Sequence, residues 1–158
     1  MQPKNLQMGA RVINGGKSDE SIAFMNFDCA ALIKDGSGST VIIDTGASSH
    51  MTPHKDLLKN YQSFPKPRII QAANKASFNA LGIGTLVLTN NIKGKMIDIS
   101  LQNTLYAPDM AFTLISFGKC DDANYRTEFG DQKCTSKNSA GHILLQAPKL
   151  YGLYRMDH

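Results

Sequence analysis

The chain has 158 residues, enough for one domain with its own core, and hydrophobic residues make up 42% of it. With 17 Lys and Arg residues against 13 Asp and Glu residues, the formal charge of +4 is too small to indicate nucleic-acid binding. No apolar run approaches the roughly 20 residues of a membrane span, which excludes a spanning protein. Three widely spaced cysteines without a C-x-x-C pair favour reduced thiols in a cytosolic protein over a disulfide framework.

The first part of the chain predicts a tail followed by short strands. Residues 1–20 are polar and aperiodic, so we interpret them as a flexible tail or linker before a domain over 21–150. Apolar residues over 21–33 predict one or two strands, and the sequence DGSGS at 35–39 predicts a turn. The β-branched residues 41–43 predict a short buried strand.

The middle of the chain predicts one helix and a series of paired strands. Thr followed by Pro is a helix start, so a short helix is expected over 52–59, with the prolines of 64–67 breaking it. Isolated glycines inside the following strands, Gly82 and Gly84, indicate a bend or a close backbone approach. Strands are expected at 69–73, 78–88 and 96–106, the first two joined by a hairpin turn at 74–76.

The last third predicts a second helix over 114–123, ended by Asn124 in a left-handed conformation. Short strands are expected at 127–129, 142–145 and 151–156. Many short strands with one or two short helices indicate a mainly β, barrel-like domain.

The residues that carry chemistry follow the strand at 41–43. Asp44 ends an apolar β-branched run, and a carboxylate near a core needs a partner or a function. Gly46 permits an unusual backbone and a close approach, and Thr45 offers a hydroxyl to a neighbouring loop. An ordinary strand-to-turn junction is the alternative, since Asp and Gly are common turn residues.

This loop resembles the active-site loop of retropepsin-like aspartic proteases. The longer stretch IDTGASSHMTP at 43–53 resembles the protease region of copia-type LTR retrotransposon Gag-Pol polyproteins. Other stretches resemble that family in the same order, namely Ala73-Asn74 with GIGT at 82–85, NTLYAPDM at 103–110, TLIS at 113–116 and GLYRM at 152–156. The resemblance covers about residues 22–156, and it implies a closed β-barrel-like retropepsin (acid protease) fold.

The resemblance also implies an activity, that of an aspartic endopeptidase that processes the polyprotein. Asp44 would be catalytic, supported by Thr45, Gly46 and Ala47. Because the chain has a single Asp-Thr-Gly, the second carboxylate would come from a second copy in a homodimer. The flap would consist of Ala72, Ala73, Asn74, Lys75 and Ala76, with Lys75 standing where the family commonly has Gly. The apolar segment behind the loop would be Leu114, Ile115 and Ser116, for which plain helix core is the alternative.

The implied partners are a second copy of the chain and a polypeptide substrate. No membrane, metal ion or cofactor is implied, and nucleic acid is an unlikely partner for this domain. Residues 151–158 would lead toward the pre-integrase region, and the location would be cytoplasmic, within virus-like particles. The alternative function is a catalytically silent or domesticated retropepsin-fold module for dimerisation or peptide binding; a nucleic-acid-binding fragment is a weaker one. His50 and His54 have the spacing of two metal ligands on a helix but lack the Glu of a zincin motif, which argues against a metal site. A structural role is favoured for His50, because it follows the Asp44 loop too closely to act in a carboxylate-dyad mechanism.

Overall fold

A computed structural model describes residues 11–13, 22–23, 40–72 and 75–156, and this part of the chain is mainly β, as predicted. Its strands are β1 (Arg11–Ile13), β2 (Ile22–Ala23), β3 (Val41–Asp44), β4 (Met51–Thr52), β5 (Leu58–Ala72), β6 (Ser77–Ile92), β7 (Lys95–Tyr106), β8 (Thr113–Ser116), β9 (Arg126–Gly130), β10 (Lys133–Lys137), β11 (Ile143–Leu150) and β12 (Leu153–Met156). One α-helix, α1 (Phe117–Asp122), and one 3₁₀ turn (Lys55–Leu57) accompany them. No helix in this part is long and apolar enough to cross a membrane.

The strands form one sheet in the order β1-β2-β5-β6-β7-β4-β8-β3-β12-β11-β10-β9. Within the described ranges no pairing joins the two ends of this order, so the predicted closed barrel is not confirmed. The sheet does fold back on itself. The backbone N–H of Gln146 on β11 donates to Oδ1 of the buried Asn90 on β6 at 2.8 Å, so β11 lies against β6 as in a barrel-like sheet.

Strand β3 lies in the interior and is buried on both faces. Ile42 belongs to one hydrophobic cluster with Ile70 and Leu114, whereas Val41 and Ile43 belong to a second cluster on the other face. A strand buried on both faces needs an uninterrupted apolar run, which explains the β-branched residues before Asp44.

The prediction of a helix over 52–59 is wrong. Only a 3₁₀ turn forms, and β5 begins at Leu58. Thr52 belongs to β4, where its hydroxyl bonds with that of Thr113 at 2.8 Å, so tertiary pairing replaces the expected helix start.

The prolines of 64–67 also do not end a structural element. β5 continues through them, and its pairing with β6 passes from Ser63↔Gly82 to Arg68↔Ala80. The residues between Ser63 and Arg68 therefore form a bulge, where a proline without an N–H breaks no ladder bond.

The prediction of a helix over 114–123 is wrong for the first three residues and is confirmed for the position where the helix ends. Leu114, Ile115 and Ser116 lie on β8, and α1 begins only at Phe117. The alternative of plain helix core for these three residues is therefore also wrong. Asn124 adopts φ 62°, and its N–H donates to the Asp121 carbonyl at 2.8 Å, which is the predicted left-handed helix end.

Both ends of the described chain contribute to the sheet. β1, inside the predicted tail 1–20, pairs with β5; most of the remaining tail, and most of the strands and the turn expected at 21–39, lie outside the described residues. β12 pairs with β3 and β11, so the sheet extends beyond the boundary expected at residue 150. β10 was not expected from the sequence.

Candidate functional site

The site is centred on Asp44, the last residue of β3. Its side chain is 1% exposed, and its Oδ1 accepts the backbone N–H of Gly46 at 2.8 Å. Its Oδ2 is buried and has no hydrogen-bond partner among the described residues. Burial raises the pKa of Asp44 to about 6, against the opposing effect of the Gly46 and Ala47 backbone N–H groups. The loop therefore holds one carboxyl oxygen and leaves the other without a partner.

The adjacent strand β8 supports this loop. β3 and β8 are parallel, with Ile42 opposite Leu114, Ile43 opposite Ile115 and Asp44 opposite Ser116. The Ser116 hydroxyl donates to the Ala47 carbonyl at 2.5 Å and accepts the N–H of Lys119 as the N-cap of α1. Ser116 thereby joins the loop to the start of the helix.

His50 fixes the same junction from the other end of the loop. Its Nδ1 accepts the backbone N–H of Ser116 at 3.0 Å, so Nδ1 carries no proton and the neutral ring holds its proton on Nε2. Burial, and then the charge of Lys119, lower the pKa of His50 to about 4. The His50 carbonyl also accepts the N–H of Leu105 on β7. A structural role for His50 was the favoured prediction, and these bonds give it that role.

The remaining loop residues differ in exposure. Thr45 is exposed, Gly46 is half-buried and Ala47 is buried. The backbone carbonyl of Ala47 accepts the Ser116 hydroxyl. A hydrogen bond from Thr45 to a second copy stays a prediction.

The predicted flap is the turn between β5 and β6. The N–H of Ala72 donates to the Ala76 carbonyl at 2.8 Å, and that of Lys75 donates to the Ala72 carbonyl at 3.0 Å. Lys75 adopts φ 64°, a conformation that favours glycine. Ala73 and Asn74 lie outside the described residues. At the base of this hairpin, Ile70 and Ala80 share a hydrophobic cluster with Ile42, which connects the hairpin to the strand of Asp44.

No cluster of three or more His, Cys, Asp or Glu residues that could hold a metal ion occurs among the residues that the structure describes. His50 and His54 do not lie on one helix, which removes the geometry of the predicted ligand pair. Cys120 and Cys134 are free and buried, and burial raises the pKa of each thiol to about 11.

Sequence reasoning missed the bonds that connect Ser116 to the loop. Ser116 was assigned to an apolar supporting segment, but its hydroxyl and backbone N–H make the connecting hydrogen bonds. The available signal was a Ser directly before a helix, which is a common N-cap.

Comparisons with known proteins place this fold and loop in a family. The family model described as the Pol polyprotein, beta-barrel domain matches residues 41–125, more than half of the chain. A relative is the "Retrovirus-related Pol polyprotein from transposon TNT 1-94" of Nicotiana tabacum, 27% identical over 116 residues. That match covers 73% of this chain and 8% of the much longer relative. The chain therefore belongs to the Pol polyprotein beta-barrel domain family and is a retrotransposon Pol region.

Proposed function

We propose that the chain is an aspartic endopeptidase whose active site pairs Asp44 with Asp44 of a second copy. The observation that carries this proposal is the buried Oδ2 of Asp44, which has no partner among the described residues. Leaving a buried carboxyl oxygen without a partner costs about 1–3 kcal/mol, more when it is charged. A second carboxyl group brought by a partner chain would share a proton with this oxygen and remove that cost, which requires the groups that cover Oδ2 in the single chain to move aside when the dimer forms.

The proposed chemistry needs one carboxylate and one carboxylic acid. Two adjacent carboxyl groups cannot both ionise readily, so they hold one proton between them. The ionised Asp44 takes a proton from water, and the resulting hydroxide attacks the peptide carbonyl carbon. The protonated Asp44 of the second copy stabilises the carbonyl oxygen. The C–N bond then breaks as the leaving nitrogen takes a proton from the dyad.

The burial of Asp44 supports this assignment of roles. A pKa of about 6 in the single chain favours a retained proton in acidic solution, before any second carboxylate is near. The Ser116 and His50 hydrogen bonds hold the loop in one geometry, which preorganises the carboxyl group. The finer fold proposed with this chemistry is the retropepsin barrel, with the β5–β6 hairpin closing over a peptide as a flap.

The proposed substrate is a polypeptide, namely cleavage sites of the retrotransposon polyprotein, processed in cytoplasmic virus-like particles. The residues proposed to act around Asp44 are Thr45 across the dimer and Gly46 along the cleft. No step needs a metal ion, so a chelator should leave cleavage unchanged. A statine-type mimic of the tetrahedral intermediate should bind at the dyad.

The test is incubation of the chain with a Gag-Pol fragment, followed by gel and mass analysis of the products. Asp44→Asn should abolish cleavage and keep the fold, whereas Asp109→Asn, at an exposed carboxyl group, should cleave normally. Cleavage that survives in the folded Asp44→Asn variant would exclude the proposal.

A second candidate is a catalytically silent retropepsin-fold module for dimerisation or peptide binding. It is favoured by the 1% exposure of Asp44, which leaves the side chain inaccessible to a peptide in the single chain. In that case the wild-type chain would not cleave, and Asp44→Asn would not change peptide binding or dimer formation.

A further inference from the structure

Positive charge is concentrated on one part of the sheet. Residues 45–97 contain seven Lys and Arg residues and one acid, Asp56, whereas residues 98–156 contain six of each sign. Five of the seven cations lie on the 3₁₀ turn, on β5 and in the hairpin turn after it. We call this stretch the basic arm; its cations are Lys55, Lys59, Lys66, Arg68 and Lys75.

Among the described residues, the one acid on the basic arm is Asp56. The adjacent strand β6 contains no charged residue. Two ion pairs between described residues, Lys119–Asp122 and Lys137–Glu128, both lie within residues 98–156. All four lysines of the arm are exposed. From Leu58 to Arg68, the edge of β5 away from β6 pairs with no described strand.

Aromatic rings accompany the cations on this arm. The Lys55 Nζ lies 4.7 Å from the ring centroid of Tyr61, and the Arg68 Cζ lies 3.8 Å from that of Phe64. Both distances fall within the range of cation–π contacts, which restrict these two long side chains. The arm therefore presents cations and half-buried rings at both sides of the bulge in β5.

We infer that the basic arm binds single-stranded nucleic acid. The fifteen residues of β5 span about 50 Å, enough for the backbone of several nucleotides. A basic track combined with aromatic rings is the arrangement that binds single strands, because phosphates contact the cations and bases stack on a ring or on an arginine guanidinium plane, here that of Arg68 over Phe64. An acidic peptide would use the charge but not the rings. The sequence analysis made nucleic acid an unlikely partner from the net charge of the whole chain, whereas residues 45–97 alone hold seven cations and one acid.

The test measures the anisotropy of a labelled oligouridylate at several salt concentrations. For single strands, each phosphate contact adds about 0.7 to the slope with which the logarithm of the binding constant falls against the logarithm of salt concentration. Near 0.1 M salt, one contact therefore raises the affinity by about 5-fold relative to 1 M salt. The triple variant Lys55→Gln, Lys59→Gln, Lys66→Gln should therefore bind roughly 100-fold more weakly, with a slope reduced by about 2.

The matched control is a triple variant that removes the same charge from residues 98–156, where the two signs are equal in number. Its substitutions are Arg126→Gln, Lys133→Gln and Lys149→Gln. It should bind within about 3-fold of the wild type, because those cations lie off the arm. Equal losses in the two triple variants, or no binding by the wild type, would overturn the inference. So would competition by polyglutamate as strong as that by unlabelled oligouridylate, which would indicate an acidic protein partner.

A second measurement uses only the wild-type chain and does not depend on variant folding. A 4-thiouridine oligonucleotide is crosslinked by light, and the modified peptides are identified by mass spectrometry. Crosslinks should fall on residues 55–75. Crosslinks concentrated in 98–156 would contradict the assignment.

Discussion

At the scale of single residues, burial shifts two ionisable groups of one loop in opposite directions. The pKa of Asp44 is raised from 3.8 to about 6, and that of His50 is lowered from 6.5 to about 4. Between about pH 4 and 6 the folded chain therefore keeps a proton on Asp44 that the unfolded chain releases. Over the same range His50 is protonated in the unfolded chain and neutral in the folded chain.

These two effects give opposite slopes of stability against pH. As pH rises through this range, the Asp44 contribution falls and the His50 contribution increases, each by about 3 kcal/mol. In the wild type the two contributions should largely offset each other. Asp44→Asn should become more stable with rising pH, and His50→Asn less stable. Urea unfolding at a series of pH values measures this, and identical profiles for both variants would contradict it.

His50 should also contribute to stability by a route that does not depend on titration. His50→Ala removes the acceptor of the buried Ser116 N–H and leaves a cavity, for a loss of roughly 2–4 kcal/mol. His50→Asn places an amide oxygen near the position of Nδ1 and should recover about half of that loss. His142→Ala, at an exposed histidine, should change little. Thermal unfolding of the three variants measures these losses of stability. Equal losses in the His50→Ala and His50→Asn variants would exclude the role of His50 as the acceptor of the Ser116 N–H.

The sequence alone could identify Asp44 but not the residues that hold it. An acid after β-branched residues and before Thr-Gly-Ala is a local pattern, so adjacent residues suffice to find it. The His50–Ser116 hydrogen bond depends on the parallel pairing of β3 with β8, whose strands are far apart along the chain. Local patterns carry no information about such pairing.

At the scale of elements, the β5–β6 hairpin packs two backbones unusually closely. A side-chain carbon added at Gly82 would lie 2.5 Å from the Gln62 carbonyl oxygen and would also collide with the ring of Tyr61. Tyr61 in turn packs edge-on against Tyr106, with ring centroids 5.8 Å apart, so it cannot easily move. The close approach that the sequence predicted at the isolated glycines is therefore confirmed at Gly82.

Gly82→Ala should destabilise the chain by about 1–3 kcal/mol, because the ring and the neighbouring strand must shift. Gly130→Ala is the matched control, since an added carbon there meets nothing within 4 Å. It should have little effect on stability. The check is the midpoint of denaturant unfolding for both variants, and equal midpoints would show that the hairpin accommodates the methyl group.

The errors in element prediction have a common physical cause. Thr52-Pro53 and Leu114–Ser116 both favour a helix locally, yet Thr52 and the latter segment lie in strands. In each case the strand buries apolar or hydroxyl side chains against a distant neighbour, as with Thr52 against Thr113. Helix propensity amounts to less than about 1 kcal/mol per residue, and tertiary burial exceeds it. Asn124 was predictable because a left-handed helix end depends on its own residue type.

At the scale of the whole molecule, the proposed dimer makes the activity of a mixture of wild-type and variant chains depend on the square of the wild-type fraction. A mixed dimer of wild type and Asp44→Asn has one carboxyl group where two must share a proton, so it should be nearly inactive. If subunits are unfolded and refolded together, they pair at random. The initial rate at constant total protein should then follow the square of the wild-type fraction. A rate that falls linearly would show that each chain acts alone.

The order of strands in the sheet could not be read from the sequence. The strands β5, β6 and β7 pair in chain order, and the β5–β6 hairpin among them was expected. In contrast, β3 lies between β8 and β12, two strands from much later in the chain. Such pairing depends on which faces are buried together, which only the folded arrangement determines.

The position of β12 beside β3 has a consequence for the order in which the chain is synthesised. Asp44 is translated before β12, so one neighbour of its strand is complete only when translation reaches Met156. Until then β3 lacks its hydrogen-bonding partner on one side, and the cluster that holds Val41 and Ile43 lacks Met156. A nascent polyprotein should therefore remain unable to assemble the Asp44 strand fully until the residues through β12 have left the ribosome, which delays any self-cleavage until this domain is whole.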